Sequence, residues 1–139
     1  QGRGNSGLFL QDFYEVQILD SYGFDGIWND CGALYKMAPP KVNACYPPGQ
    51  WQTYDITYKS PVFDPSGKKL SNAFITVILN GVTIHNNTEL VHPTANSQSQ
   101  RKKDVVPSTP APIKIQDHSN LVKFRNIWLT ELETHKSDN

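Results

Sequence analysis

The sequence lacks the features that define several large classes of protein. Its 13 basic and 13 acidic residues cancel, so it has no broad cationic surface of the kind that binds nucleic acid or anionic membranes through clustered Lys and Arg. No apolar run approaches the ~20 residues that a helix needs to cross a bilayer. The first residues also lack the apolar core of a signal peptide. We therefore expect a soluble domain from which any export signal has been removed.

Cysteine is scarce as well. Cys31 and Cys45 are the only two, too few for a disulfide scaffold and without the spacing of a metal site. They could form one bridge across a short proline-rich loop, or remain two buried thiols. A bridge is favoured, because Asn86-Asn87-Thr88 is an N-glycosylation sequon and the chain is rich in Asn, Ser, Thr and aromatic residues, as exported β-proteins often are. We expect a secreted, periplasmic or cell-surface protein.

Helical periodicity is also absent. Apolar and polar residues alternate through most of the chain, and no stretch of a dozen residues keeps the spacing of an amphipathic helix. The clearest local signal is Asn80-Gly81 between two apolar runs, because this pair tolerates the positive φ angles of a type I′ hairpin turn. The alternation predicts strands over 8–10, 14–19, 33–36, 51–58, 74–79, 82–85, 113–116 and 123–131.

The predicted architecture is one domain over residues 1–139. A chain of this length buries a core without a metal or a disulfide lattice. Seven or eight short strands separated by proline-rich turns predict two packed sheets, an all-β sandwich of the jelly-roll kind. Residues 91–112 carry four prolines among Ser, Thr, Gln and Lys, so they are predicted to form a long exposed loop, and 134–139 a polar tail.

Several motifs follow one another in an order typical of one protein family. They are Gly4-Asn5-Ser6-Gly7, the strand from Tyr14 to Gly23, Cys31-Gly32-Ala33-Leu34-Tyr35, Pro48-Gly49-Gln50-Trp51, Asn80-Gly81-Val82, Gln116-Asp117-His118 and Phe124-Arg125-Asn126-Ile127-Trp128. Over nearly its whole length the chain resembles the 3-keto-disaccharide hydrolase family. The resemblance implies a concanavalin A-like jelly roll, export from a bacterial cell, and action on glycosides that carry a ketone at sugar carbon 3.

The resemblance also implies an open sheet edge. Domains of that family normally begin with additional strands before the Gly-Asn-Ser-Gly motif, whereas this chain starts almost on it. We therefore expect the region 8–19, or the sheet beside it, to be completed by another chain or by a segment outside this sequence. A strand from an identical neighbour would give a homo-oligomer or a filament.

A ketone at carbon 3 determines what such a site must contain. It acidifies the hydrogen on carbon 2, so the glycosidic bond can break by elimination once a base removes that proton. The site therefore needs a base, donors for the enolate oxygen, and a group that helps the leaving oxygen depart. A divalent metal could replace the donors by polarising the ketone, and it is the only cofactor that this chemistry suggests.

Strand parity identifies the candidate acids and bases. Glu15 and Gln17 lie on the polar face of a strand whose other face is apolar, and Asp20 follows at its end. Glu15 is the predicted base or metal ligand, although these side chains could simply be the solvated face of an edge strand. His118 shares its parity with Gln116 and is the predicted acid or base near neutral pH, or else the cap of a turn.

Amide and aromatic side chains complete the predicted site. Asn126 and Arg125 could bind sugar hydroxyls, but only one of two adjacent strand residues can face the site, and Arg125 could instead form a buried ion pair. Trp51 and Trp128 suit the apolar faces of sugar rings, although a tryptophan in a small sandwich is more often part of the core. We expect five of the polar residues to converge on one concave face of the sandwich: Glu15, Gln17, Gln116, His118 and Asn126.

Two interpretations of function remain open. The first is an exported enzyme that binds a carbohydrate substrate and cleaves 3-keto-glycosides. The second is a non-catalytic module of the same fold that binds carbohydrate or self-assembles, because fold and ancestry do not settle activity and an unpaired sheet edge accepts a neighbour's strand.

Overall fold

A computed structural model describes residues 3–94 and 110–132. Residues 95–109 of the predicted loop over 91–112, and the whole predicted tail over 134–139, lie outside these ranges. The described residues contain strands and no helix, and hence no helix long and apolar enough to cross a membrane. The strands are β1 (Asn5–Leu10), β2 (Tyr14–Leu19), β3 (Tyr54–Lys59), β4 (Val62–Phe63), β5 (Lys69–Ser71), β6 (Ala73–Leu79), β7 (Val82–Leu90) and β8 (Lys114–Ile115).

Two three-stranded antiparallel sheets enclose the core. The first has the strand order β2-β1-β8 and the second β3-β6-β7, while β4 and β5 pair by themselves. Both sheets turn a face with apolar side chains toward the core, as alternation dictates. The predicted all-β jelly-roll sandwich is confirmed. Its largest core side chains are Leu10, Tyr14, Val16 and Leu34 from the first sheet and its flank, and Ile75, Val77, Leu79, Ile84 and Leu90 from the second.

The predicted hairpin between β6 and β7 is also confirmed. Asn80 and Gly81 have φ angles of 53° and 79°, which is the left-handed pair that a type I′ turn requires. The Asn80 side chain holds this turn against its surroundings, since its Oδ1 accepts from Thr53 N at 2.8 Å and its Nδ2 donates to Ala44 O at 2.8 Å.

Two predicted strands are wrong. Residues 33–36 make only isolated bridges, from Leu34 to Val16 and to Ala38, and the chain turns at Lys36, where φ is 59°. Residues 123–131 have no strand beside them in the part of the chain that the structure describes. The left-handed φ of 53° at Asn126 interrupts their alternation, and a strand is stabilised only by the ladder it shares with a partner.

Of the open edge predicted at residues 8–19 or in the sheet beside them, the first alternative is wrong, and the second stays a prediction. β1 lies between β2 and β8, and the far side of β2 is bonded to the chain at 32–35, with Gln17 N donating to Ala33 O at 2.9 Å. Uncovered apolar surface lies instead on 121–132, where Leu121 is 96% exposed and Trp128 is 85% exposed.

The predicted disulfide is absent, because Cys31 and Cys45 are free thiols. The Cys31 sulfur lies 3.0 Å from Tyr54 Oη, and the Cys45 sulfur lies 3.8 Å from Leu19 O. A hydrogen bond with Cys45 lowers the pKa of the Cys31 thiol to about 7. Hydrogen bonds to these neighbours therefore satisfy both sulfur atoms without a bridge.

Candidate active site

The predicted polar residues lie on the face of the first sheet that points away from the core. Register pairs Glu15 with Phe9 and Phe9 with Lys114, so these three residues cross the face in one row. Gln17 and Gly7 are paired in the next row. Because side chains alternate between the two faces of a sheet, all five residues lie on the same side.

Glu15 is buried although it lies outside the core, with only 5% of its surface exposed. Its side chain lies across Gly7, where an added Cβ would be 3.0 Å from Glu15 Cγ and Cδ and closer still to Oε1. Gly7 does not have a left-handed φ, so its backbone conformation does not require glycine. The close approach of the carboxyl is what requires it.

Burial changes the acid–base chemistry of this carboxyl. Desolvation raises the pKa of Glu15 from 4.5 to about 7, against the opposing charges of His118, Lys36 and Lys114. A carboxylate with a pKa near 7 accepts a proton more readily than an ordinary one, and it is still about half ionised at neutral pH. Glu15 therefore has the properties of a general base.

Hydrogen bonds hold the carboxyl in place. In the amide orientation that satisfies both ends of the side chain, Gln17 Nε2 donates to Glu15 Oε1 and to Ser6 O, each at 3.2 Å. Ser6 Oγ in turn donates to Gln116 O at 2.7 Å, and Gln116 N donates to Gly7 O at 2.8 Å. Gln17 thus orients the base, while Gln116 ties the strand before His118 to β1.

His118 lies close enough to Glu15 for its charge to act on the pKa of that carboxyl. The imidazole is exposed, and its Nδ1 lies 3.3 Å from Asn120 Oδ1. An exposed imidazole beside a buried carboxylate can exchange protons with a substrate or with water. The structure brings Glu15, Gln17, Gln116 and His118 into one region.

The other predicted site residues do not belong to this group. Asp20 lies near Cys45 and is not among the charges that act on Glu15. The Arg125 guanidinium stacks on the exposed Trp51 ring at 3.9 Å, so Arg125 is not in a buried ion pair and Trp51 is not in the core. Strand parity predicts Asn126 and Trp128 on the face of the site, but parity has no meaning where no strand forms. Both residues belong to the exposed segment 121–132.

Sequence reasoning missed two cations near the carboxyl. Lys114 shares its parity with Gln116, a signal that could have found it, and its Nζ lies 4.8 Å from the Phe9 ring centroid and pairs with Asp12. Lys36 carries no comparable signal, because the sequence predicts a strand over 33–36 whereas Lys36 lies in a turn. The charges of both ammonium groups act on the Glu15 carboxyl.

The surroundings of Glu15 do not fit the divalent metal that the chemistry suggested. No three His, Cys, Asp or Glu side chains cluster within residues 3–94 and 110–132. The charged groups closest to the carboxyl, His118, Lys36 and Lys114, include two ammonium groups that would repel such an ion. The lysines, rather than a metal, are placed to stabilise negative charge.

Comparison with known proteins identifies the family. The profile of the 3-keto-alpha-glucoside-1,2-lyase-like domain matches residues 1–130. The chain belongs to this family. The predicted family is thus confirmed.

A solved structure agrees with this assignment. A protein from Parabacteroides distasonis, described provisionally as a glycosyl hydrolase, is 36% identical to this chain, and its structure matches with a TM-score of 0.72. The match covers 85% of this chain and 49% of the other, so this chain spans about half of that protein's length. No curated protein matches significantly.

Burial of Glu15 in the lyase-like domain has a consequence for stability. The pKa is higher in the folded state than the ordinary 4.5, so the contribution of Glu15 to stability is most favourable below pH 4.5 and is lost as pH rises through 7. The full loss is at most about 3 kcal/mol. The unfolding free energy of Glu15→Gln minus that of wild type should therefore be roughly 1–3 kcal/mol larger at pH 8 than at pH 4. Urea denaturation at the two pH values measures this difference.

A matched control is Glu89→Gln, which removes an exposed carboxylate from β7. It should show no such gain between the two pH values. An equal difference between wild type and Glu15→Gln at pH 4 and pH 8 would contradict the raised pKa.

Proposed function

We propose that this domain cleaves 3-keto-glycosides by elimination across sugar carbons 1 and 2, with Glu15 as the base. The observation that carries this proposal is the Glu15 carboxyl itself, 5% exposed, with a pKa of about 7, in a group that includes His118 and two lysines. A buried carboxylate suits the removal of a weakly acidic C–H proton, because it is not stabilised by water and its pKa lies near the working pH.

The elimination proceeds through an enolate. Glu15 takes the proton from carbon 2, and the electron pair of that bond moves toward the carbon 3 ketone. Lys36 and Lys114 stabilise the negative charge that develops on the enolate oxygen, as cations aimed at developing charge do. The enolate then forms the double bond between carbons 1 and 2 and expels the glycosidic oxygen, which takes a proton from His118. Addition of water to the unsaturated ketone completes a net hydrolysis.

Methyl 3-keto-glucoside, with methyl glucoside as the matched compound, tests this proposal. Only the ketone has an acidic hydrogen at carbon 2, so only methyl 3-keto-glucoside should release methanol. A chelator should not change the rate, since the proposed stabilising groups are lysines. Failure to cleave the ketone, or equal cleavage of both compounds, would overturn the proposal.

We also propose that the domain acts outside the cytoplasm. The sequon residue Asn86 is exposed on β7, which is compatible with modification at the surface, and the implied glycoside substrates are consistent with a secreted, periplasmic or cell-surface location. Fractionation of the native host with an antibody against the domain tests this, and recovery from the cytoplasm alone would contradict it.

A second candidate function, self-assembly, is favoured by the segment 121–132. Apolar surface of this extent commonly marks an interaction site. The charges of the segment match a second copy of the same chain, since two copies related by a twofold axis at Ile127 would bring Lys123 of one copy near Glu131 of the other. Six large apolar residues of the segment are exposed: Leu121, Phe124, Ile127, Trp128, Leu129 and Leu132.

Light scattering during size-exclusion chromatography tests self-assembly. A concentration-dependent dimer is expected, and Ile127→Lys should abolish it by placing two cations face to face. Lys123→Glu should weaken the dimer, and adding Glu131→Lys should restore it, because the double change exchanges the two charges. A monomer at all concentrations, or a double variant no stronger than Lys123→Glu, would contradict this candidate.

A further inference from the structure

Two aromatic side chains extend the surface around Glu15. The rings of Trp28 and Tyr35 are 5.7 Å apart and tilted by 58°, and Tyr35 N donates to Glu15 O at 3.1 Å. Lys36 joins these groups, since its Nζ lies 5.3 Å from the Tyr35 ring centroid and its charge acts on Glu15. The Lys36 ammonium therefore contacts the aromatic pair and also acts on the charge of the base.

Trp28 is 46% exposed, yet the loop that carries it is firmly held. Its carbonyl accepts from Lys36 N at 3.3 Å. Two residues further on, the Asp30 carboxylate accepts from Ile27 N at 3.1 Å and pairs with Arg3 at 2.8 Å. A large aromatic surface held toward solvent by such bonds is preorganised for a ligand, because little conformational freedom remains to be lost on binding.

We propose that Trp28 and Tyr35 bind the leaving sugar ring of a 3-keto-disaccharide while the oxidised ring lies over Glu15. This inference rests on the proposed function. The leaving oxygen is attached to carbon 1, next to the carbon that loses its proton, so the leaving ring must lie beside the base. The C–H face of a pyranose ring packs on indole, and hydroxyls at the ring edge accept hydrogen bonds from the Lys36 ammonium.

Variants of Trp28 test the platform through the KM of two substrates. Trp28→Ala should raise KM for 3-keto-trehalose roughly 3- to 10-fold, the loss expected for one aromatic stacking contact, and leave KM for methyl 3-keto-glucoside unchanged. Trp28→Phe should recover most of the loss. The matched control is Phe24→Ala in the same loop, since Phe24 is 54% exposed and its ring is covered by the Arg3 guanidinium at 4.4 Å. It should change neither KM.

Binding without cleavage separates this inference from the proposed function. Calorimetric titration with trehalose, which carries no ketone, should show affinity roughly 3- to 10-fold weaker for Trp28→Ala than for wild type. If 3-keto-glycosides are not cleaved but trehalose binding still depends on Trp28, the proposed function fails and the platform stands. If Trp28→Ala matches wild type in trehalose affinity, or if wild type binds no trehalose, the platform is overturned.

Discussion

Glu15→Gln is expected to slow the cleavage of methyl 3-keto-glucoside by roughly 10²- to 10⁴-fold, the usual contribution of a general base. Glutamine has nearly the same shape, so it can lie across Gly7 as Glu15 does, but its amide cannot accept the proton from carbon 2. Initial rates of methanol release from wild type and variant measure the effect.

The pH dependence gives an independent check on the same residue. Only the ionised carboxylate can act as base, so kcat/KM of the wild type should rise from low pH with an apparent pKa of about 7 on this acidic limb. Glu89→Gln serves again as the control and should keep wild-type rates. Rates for Glu15→Gln within twofold of wild type, or a wild-type profile that is flat between pH 6 and 8, would exclude Glu15 as the base.

Gly7→Ala is expected to lower activity by roughly 100-fold, because a displacement of about 1 Å in a catalytic group can have an effect of this size. The added methyl would overlap the Glu15 side chain, which must then move from its place over β1. A displaced carboxyl gains contact with water, so the pH profile of the remaining activity should shift to lower pH. Steady-state rates across pH measure both changes.

The same motif supplies the control for this prediction. Gly4 also has no left-handed φ, and a Cβ there would meet only Val122 Cγ2, at an ordinary 3.8 Å. Gly4→Ala should therefore keep the wild-type rate and pH profile. Circular dichroism would establish that both variants fold, and a folded Gly7→Ala with wild-type activity would refute the role assigned to this close approach.

The sheets were predictable where a segment with alternating apolar residues also has a neighbouring strand to pair with. Along β6 the residues Ala73, Ile75, Val77 and Leu79 are buried in turn, and Asn80-Gly81 supplies the partner strand by a hairpin. Residues 123–131 carry a similar alternation without a strand beside them in the described chain. Alternation records the tendency to form a strand, but the ladder that stabilises it depends on residues far away in the sequence.

The same distinction explains the site. Glu15 and Gln17 lie within β2, where parity holds, whereas Asp20 lies one residue beyond its end and Asn126 lies in a segment with no strand. Burial of the carboxyl could not be read from β2 at all. The carboxyl lies against Gly7 on the neighbouring strand, and cations from a turn and from β8 act on it. Only the fold brings these groups together.

Hydrogen exchange at carbon 2 of methyl 3-keto-glucoside tests most directly whether Glu15 removes that proton. Proton NMR in D₂O, corrected for spontaneous exchange in buffer, would follow the carbon 2 signal and the release of methanol. We predict that the carbon 2 signal is lost with wild type, by exchange or by cleavage. With Glu15→Gln it should be lost no faster than in buffer alone. Loss of the signal at the wild-type rate with Glu15→Gln, or no loss with the wild type, would contradict the proposed role of Glu15.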